Sequence, residues 1–217
     1  MTTTDRTPLT GAFVVLLVLV GFAGLNGDTP AGDSSAQSVV AFYSGNETRE
    51  VLASILFALS AVPLLFFSAS LRDRLRAALP GPSTLPTVAL AGGIVAAGGF
   101  LVAAGIHFAL ADSAGDIDPV AAQALNTLDA GFFLPFTTGI AVLLLASSIT
   151  AIRTSVLPRW MGWVGAVLFV AYFTPAGFVG FGLTGIWIVA ASVLLYRRED
   201  GSDGTRTRGL RRDRPAL

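Results

Sequence analysis

The stretch WMGWVGAVLFVAYFTPAGFVGFGLTGIWIVAASVLLY, residues 160–196, decides how this chain folds. As one continuous helix it would run roughly 55 Å, against about 30 Å for the hydrocarbon core of a bilayer. Pro175 supplies the break, with Gly177, Gly180 and Gly182 around it. Proline removes a backbone donor and crowds the preceding turn, and glycine tolerates a tight reversal. The block therefore reads as two membrane spans, 160–176 and 180–196, joined by a hairpin.

Working outward, four further apolar stretches occupy residues 9–25, 51–71, 87–110 and 129–150. All six are about 17 to 24 residues long, enough at a rise of roughly 1.5 Å per residue to cross the core. A backbone in lipid must satisfy its own hydrogen bonds, so such runs are helices. The expected fold is all-α: a polytopic bundle of six transmembrane helices within one domain, residues 1–198. Its connections are too short for a soluble domain.

Basic residues near span ends tend to stay cytoplasmic, whereas acidic residues have little influence. Arg72, Arg74 and Arg76 follow span two, Arg153 and Arg159 lie between spans four and five, and Arg197 and Arg198 follow span six. Six spans put all three groups on one side, with both termini cytoplasmic. The opposite connections hold Arg49 alone among Asp28, Asp33, Glu47, Glu50, Asp112, Asp116 and Asp118. Five spans would leave the arginine-rich C-terminus outside.

Hydrophobic residues make up 53% of the chain and charged residues 13%, and mean hydropathy is +0.70. These values fit a membrane protein. All 14 basic residues are arginine, which we read as codon bias in a GC-rich genome. With no cysteine, disulfides, thiolate nucleophiles, iron–sulfur clusters and thiolate zinc sites are excluded. Arg6 precedes the first apolar run in the manner of a signal peptide. No small-x-small cleavage site follows, so the run is read as an uncleaved span.

Asn26 to Gln37 reads as an external loop and Ser38 to Tyr43 as a short helix on the outer surface. Ser44 and Glu47 have the spacing of a capping box that would start the second long helix. The sequon at Asn46 falls at the same place and is read as helix start. Trp160 and Trp163 are expected as interface anchors at headgroup level, and Trp187, mid-span, as a packing residue. The tail from Glu199 to Leu217 reads as disordered. Its arginines would be drawn to anionic lipid headgroups, and lacking interleaved aromatics it is not expected to bind nucleic acid.

His107 is the only histidine. Steps of three or four residues back along its span give Ala103, Gly99, Ala96, Gly92 and Ala89, a ridge of small side chains of the kind that lets helices approach closely in lipid. The ridge is expected to face protein, with His107 at its outer end. Asn126 and Asp129 share a face at the start of span four, at the same level by topology, and Thr137 continues that face. With Asp112 they make a candidate polar cluster. An imidazole there, with a reference pKa of about 6.5, is suited to switching charge with external pH. The structural reading, a histidine hydrogen-bonded at a helix end, is preferred over a proton relay or ligand site. Asp112, Asp116 and Asp118 lack the spacing of a calcium loop, so no metal is expected. No hydrolase, phosphate-loop or dinucleotide motif occurs, so no catalytic residue or cofactor is expected.

Four segments, Ala41-Phe42-Tyr43-Ser44, Ala124 to Phe136 (ALNTLDAGFFLPF), Val156 to Trp163 (VLPRWMGW) and Trp187 to Arg198 (WIVAASVLLYRR), resemble an uncharacterised family of small multi-pass bacterial membrane proteins. The resemblance runs from about Phe13 to Arg198. It implies a bacterial plasma-membrane protein and assigns no functional residue. Two functions are expected. The preferred one is a non-enzymatic membrane protein acting through helix or lipid contacts, with a second copy or another membrane protein as partner. The alternative is a small transporter or proton-coupled carrier using His107 and Asp129. Pro63 in span two and Pro135 in span four could break helices as transporters do, but no ionisable residue flanks them at depth. A wet cavity reaching His107 and Asp129 would favour the carrier.

Overall fold

The computed structural model describes residues 6–25 and 29–212, with the backbone alone for 23–24 and 198–212. It is 83% helical, with no strand among the described residues, so the chain is all-α. Thr7–Leu9 is a 3-10 turn that leads into α1 (Thr10–Val18), and Leu19–Leu25 continues it as a π-helix. Then follow α2 (Ala36–Ala78), α3 (Leu85–Ser113), α4 (Pro119–Gly131), α5 (Leu134–Arg153), α6 (Arg159–Ala171) and α7 (Gly177–Arg212). Four helical stretches are long and apolar enough to cross a membrane: Ala36–Ala78, Leu85–Ser113, Pro119–Arg153 and Gly177–Arg197. The other two expected spans fall on shorter apolar helices, Thr7–Phe22 and Arg159–Ala171.

Three local expectations are corrected. First, α2 begins at Ala36, where the Ser35 hydroxyl accepts from Ser38 N–H. Ser38 to Tyr43 is its opening stretch rather than a separate surface helix, and Ser44 and Glu47 lie inside it. Second, span four is not one helix. The path breaks at Phe132 and Phe133, and α5 restarts with Pro135 in its first turn, where a missing N–H costs nothing. Pro63, by contrast, sits buried inside an uninterrupted α2. Third, the backbone of α7 stays helical to Arg212, over much of the tail read as disordered; residues 213–217 lie outside the described residues. Pro175 lies between α6 and α7, where the hairpin was expected.

α3 is the central element and packs most extensively on α2 and α5. Its ridge residues Ala89, Gly92, Ala96, Gly99 and Ala103 are all buried. A Cβ on Gly92 would lie 2.6 Å from Leu143 N, and one on Gly99 would lie 2.7 Å from Phe136 Cα. Gly139 of α5 is equally tight against Ala96. Two backbones thus meet along a seam that only hydrogen side chains permit. Gly98, one residue from Gly99, faces open space. Three buried hydroxyls of the bundle are satisfied within their own helices: Ser68 donates to Leu64 O at 2.7 Å, Ser147 to Leu143 O at 2.7 Å and Ser192 to Ile188 O at 2.8 Å. They therefore offer no polar lining.

The apolar interior falls into two clusters. The larger fills the bundle, from Val14 through Phe67, Phe100 and Leu144 to Leu195. The smaller joins Val39 and Tyr43 of α2, Leu110, Ala111 and Ala114 at the end of α3, and Ala122 of α4. It forms a cap at one end of the bundle, and the ionisable residues described next lie between cap and bundle. At the other end Trp187 Nε1–H donates to Met161 O at 3.0 Å; Trp187 is buried, while Trp160 and Trp163 are exposed.

Candidate functional site

α3 carries His107 three residues before Leu110, at the level where bundle gives way to cap. Both ring nitrogens meet carboxylates: Nδ1 lies 2.8 Å from Asp129 Oδ2, and Nε2 lies 3.2 Å from Glu50 Oε2. Glu50 is completely buried and its other oxygen accepts from Arg49, at 2.9 Å from one terminal nitrogen and 3.1 Å from Nε. The result is a chain Asp129, His107, Glu50, Arg49 that runs from a partly exposed carboxylate through a buried centre to a guanidinium with 42% side-chain exposure. The Tyr43 ring stands edge-on to the imidazole, with centroids 5.8 Å apart. Its hydroxyl is buried with no hydrogen-bond partner among the described residues.

Hydrogen counting constrains this chain. Two N···O contacts need two hydrogens, and an ionised carboxylate only accepts. A neutral imidazole supplies one. Either the ring is an imidazolium or a flanking carboxylate carries the second proton, so the three groups together hold two. With Arg49 the four residues then sum to zero, which is how buried charge is tolerated.

A cavity of about 580 Å³ opens beside the chain, bordered by His107 and Asp129. Its walls carry a cluster of aromatic rings, Phe57 of α2, Phe132, Phe133 and Phe136 at the α4–α5 break, and Phe178 of α7, with Thr29, Ser54, Tyr172 and Thr174 adding polar groups. Phe57 and Phe136 belong to a ring-to-ring stack, with Phe57–Phe100 centroids 4.7 Å apart and Phe100–Phe136 5.3 Å. The helix break matters here. It lets Asp129 end α4 while Phe136 packs on α3, leaving space between them that a continuous helix would fill.

Of the expected cluster, His107 and Asp129 come together and the others do not. Asn126 is buried, but its amide donates to Ala31 O at 2.9 Å. With Gln123 to Ser34 O at 2.8 Å and Thr127 to Gly32 O at 2.7 Å, it ties the 29–35 loop onto α4. Asp112 is exposed: five residues at about 100° each turn it well away from His107. Thr137 donates to Phe133 O at 2.8 Å and so closes the break. Asp118 caps α4 by accepting from Val120 N–H at 2.8 Å. The residues missed were Glu50, counted only among the charges of an external connection, and Tyr43, placed on a surface helix. Both lie on the buried face of α2 with Ala36, Val39, Ala53 and Ser54, and that helical spacing was present in the sequence.

The fold and site define a class: an all-helical protein with four membrane-length apolar helices and a histidine held between two carboxylates at a cavity. Comparison with protein-family models, curated proteins and solved structures gives no match.

Proposed function

We propose that the protein binds a small molecule in the cavity beside Asp129 and His107 and links that binding to proton movement at the histidine, as a small proton-coupled carrier would. One observation carries this reading: the cavity ends on the Asp129–His107–Glu50 chain, whose centre is buried. Ionisable groups within membrane helices are costly and mark ligand or proton pathways by default. The small-residue ridge of α3 packs on α5 of the same chain and so is not open to a partner helix.

In this reading the chain crosses a bacterial plasma membrane six times with both termini cytoplasmic. α1 with its π-helical extension, and α6 with the turn that follows it, supply the two short crossings. The cap and its ionic chain face outward. The arginines of the opposite connections meet anionic headgroups, and Trp160 and Trp163 anchor the start of α6. The likeness to small multi-pass bacterial membrane proteins belongs to the same proposal. Lipid is the surrounding partner.

The cysteine-free sequence allows a direct test. Ala104→Cys lines the cavity, Ala96→Cys lies in the seam, and Ser113→Cys sits at the end of α3. A membrane-impermeant cationic thiosulfonate added to intact cells should label positions 104 and 113 and spare 96. Labelling at 113 without 104 would mean a closed cavity and would overturn the reading. Labelling of 104 only after the inner face is opened would overturn the orientation.

A further inference from the structure

We infer that the cavity takes an organic cation with an apolar body, and that this cation exchanges with a proton held on His107; the inference rests on the ligand-binding reading above. Three observations converge. The first is the sign of the lining. Among the described residues Asp129 is its only carboxylate and no arginine borders it, since Arg49 lies beyond Glu50. An anion entering would meet Asp129, and the ring nitrogens of His107 are already committed to Asp129 and Glu50.

The second is the wall. Aromatic faces attract cations, most strongly where water is excluded, and Phe57, Phe133, Phe136 and Phe178 surround the space in front of Asp129. A molecule joining an ammonium to an apolar body satisfies both the carboxylate and the rings.

The third is the hydrogen count. The groups facing His107 among the described residues are Tyr43, Glu50 and, through Glu50, Arg49 from α2, and Asp129 from α4; α5 brings Phe136 to the cavity, and the α6–α7 turn follows Tyr172, which also lines the cavity. With two protons shared, these groups are electrically balanced. A cation docking on Asp129 adds one positive charge. Balance returns when the N–H bond at Nδ1 breaks, its electron pair stays on nitrogen, and the proton passes to bulk water. Asp129 then trades the N–H for the cation, while Nε2–H still donates to Glu50. One cation enters as one proton leaves.

The test uses the full chain in lipid nanodiscs and isothermal titration with benzyltrimethylammonium, whose charge does not titrate, in two buffers of different ionisation enthalpy. The expected result is saturable binding with release of about one proton, weakened at least about tenfold in Asp129→Asn and for neopentylbenzene, a neutral compound of the same shape. Ala104→Phe, which fills the cavity and keeps every residue of the ionic chain, should also abolish binding, so the outcome does not depend on how well Asp129→Asn folds. Equal binding of both compounds would show an apolar pocket, overturning this inference and leaving the binding reading intact. Cation binding without proton release would overturn the exchange. Binding of neither compound would overturn both readings.

Discussion

α3 is one helix with two kinds of surface. From Ala89 to Gly99 it packs closely on α5, with no room for a methyl group at Gly92 or Gly99. From Ala103 to His107 it borders open volume and ends on an imidazole between two carboxylates. The same helical repeat generates both. What differs is the partner: α5 stays close as far as Phe136, then the chain breaks and α4 departs. Close packing at one level and a cavity at the next follow from that break, and they assign stability to the seam and chemistry to the opening.

The sharpest way to break this contrast is Gly99→Leu. Overpacking a filled core costs about 1–3 kcal/mol, and here the obstacle is backbone, so the loss should reach or exceed the upper end. Unfolding of the purified protein in mixed micelles measures it; tolerance would show that the seam is loose. Next is Glu50→Ala, which leaves the histidine and Arg49 facing a buried gap. We expect a loss of about 1–3 kcal/mol, with part restored by Glu50→Gln. Equal stability of all three proteins would mean that Glu50 faces water. Trp187→Phe keeps one aromatic ring but loses the rest of the buried indole and its hydrogen bond to Met161 O, the bond alone at about 1 kcal/mol; no change would place the indole N–H elsewhere. Smallest is Gly98→Ala, which meets nothing. It should be neutral or stabilising by up to about 1 kcal/mol, since alanine is the better helix former, and a loss comparable to Gly99→Ala would erase the distinction between the two faces.

Much of this was legible in the sequence. The ridge could be read because small residues recur at three and four, and Pro175 could be read because a helix of that length has no place to go. The nearness of His107 to Asp129 followed from level and facing alone. The ionic chain was legible only in part, for a physical reason: the apolar run begins at Val51 although the helix starts at Ala36, so Glu50 looks like a charge on the exposed first turns. Its face, shared with Val39 and Tyr43, gives it away only when the helical period is carried past the edge of the hydrophobic stretch. Asp112 misled because level was weighed without rotation. The α4–α5 break was signalled by Pro135, but the cavity it opens depends on the Phe132–Phe133 backbone, which no periodicity specifies.

Because the chain has a single histidine, nitrogen NMR of the ring in nanodiscs tests the central claim without ambiguity of assignment. The account predicts two ring nitrogens that answer to different partners. Asp129→Asn should shift the Nδ1 resonance and leave Nε2 nearly unmoved, and Glu50→Gln should do the reverse. Two resonances that ignore both substitutions and match a freely hydrated imidazole would contradict it.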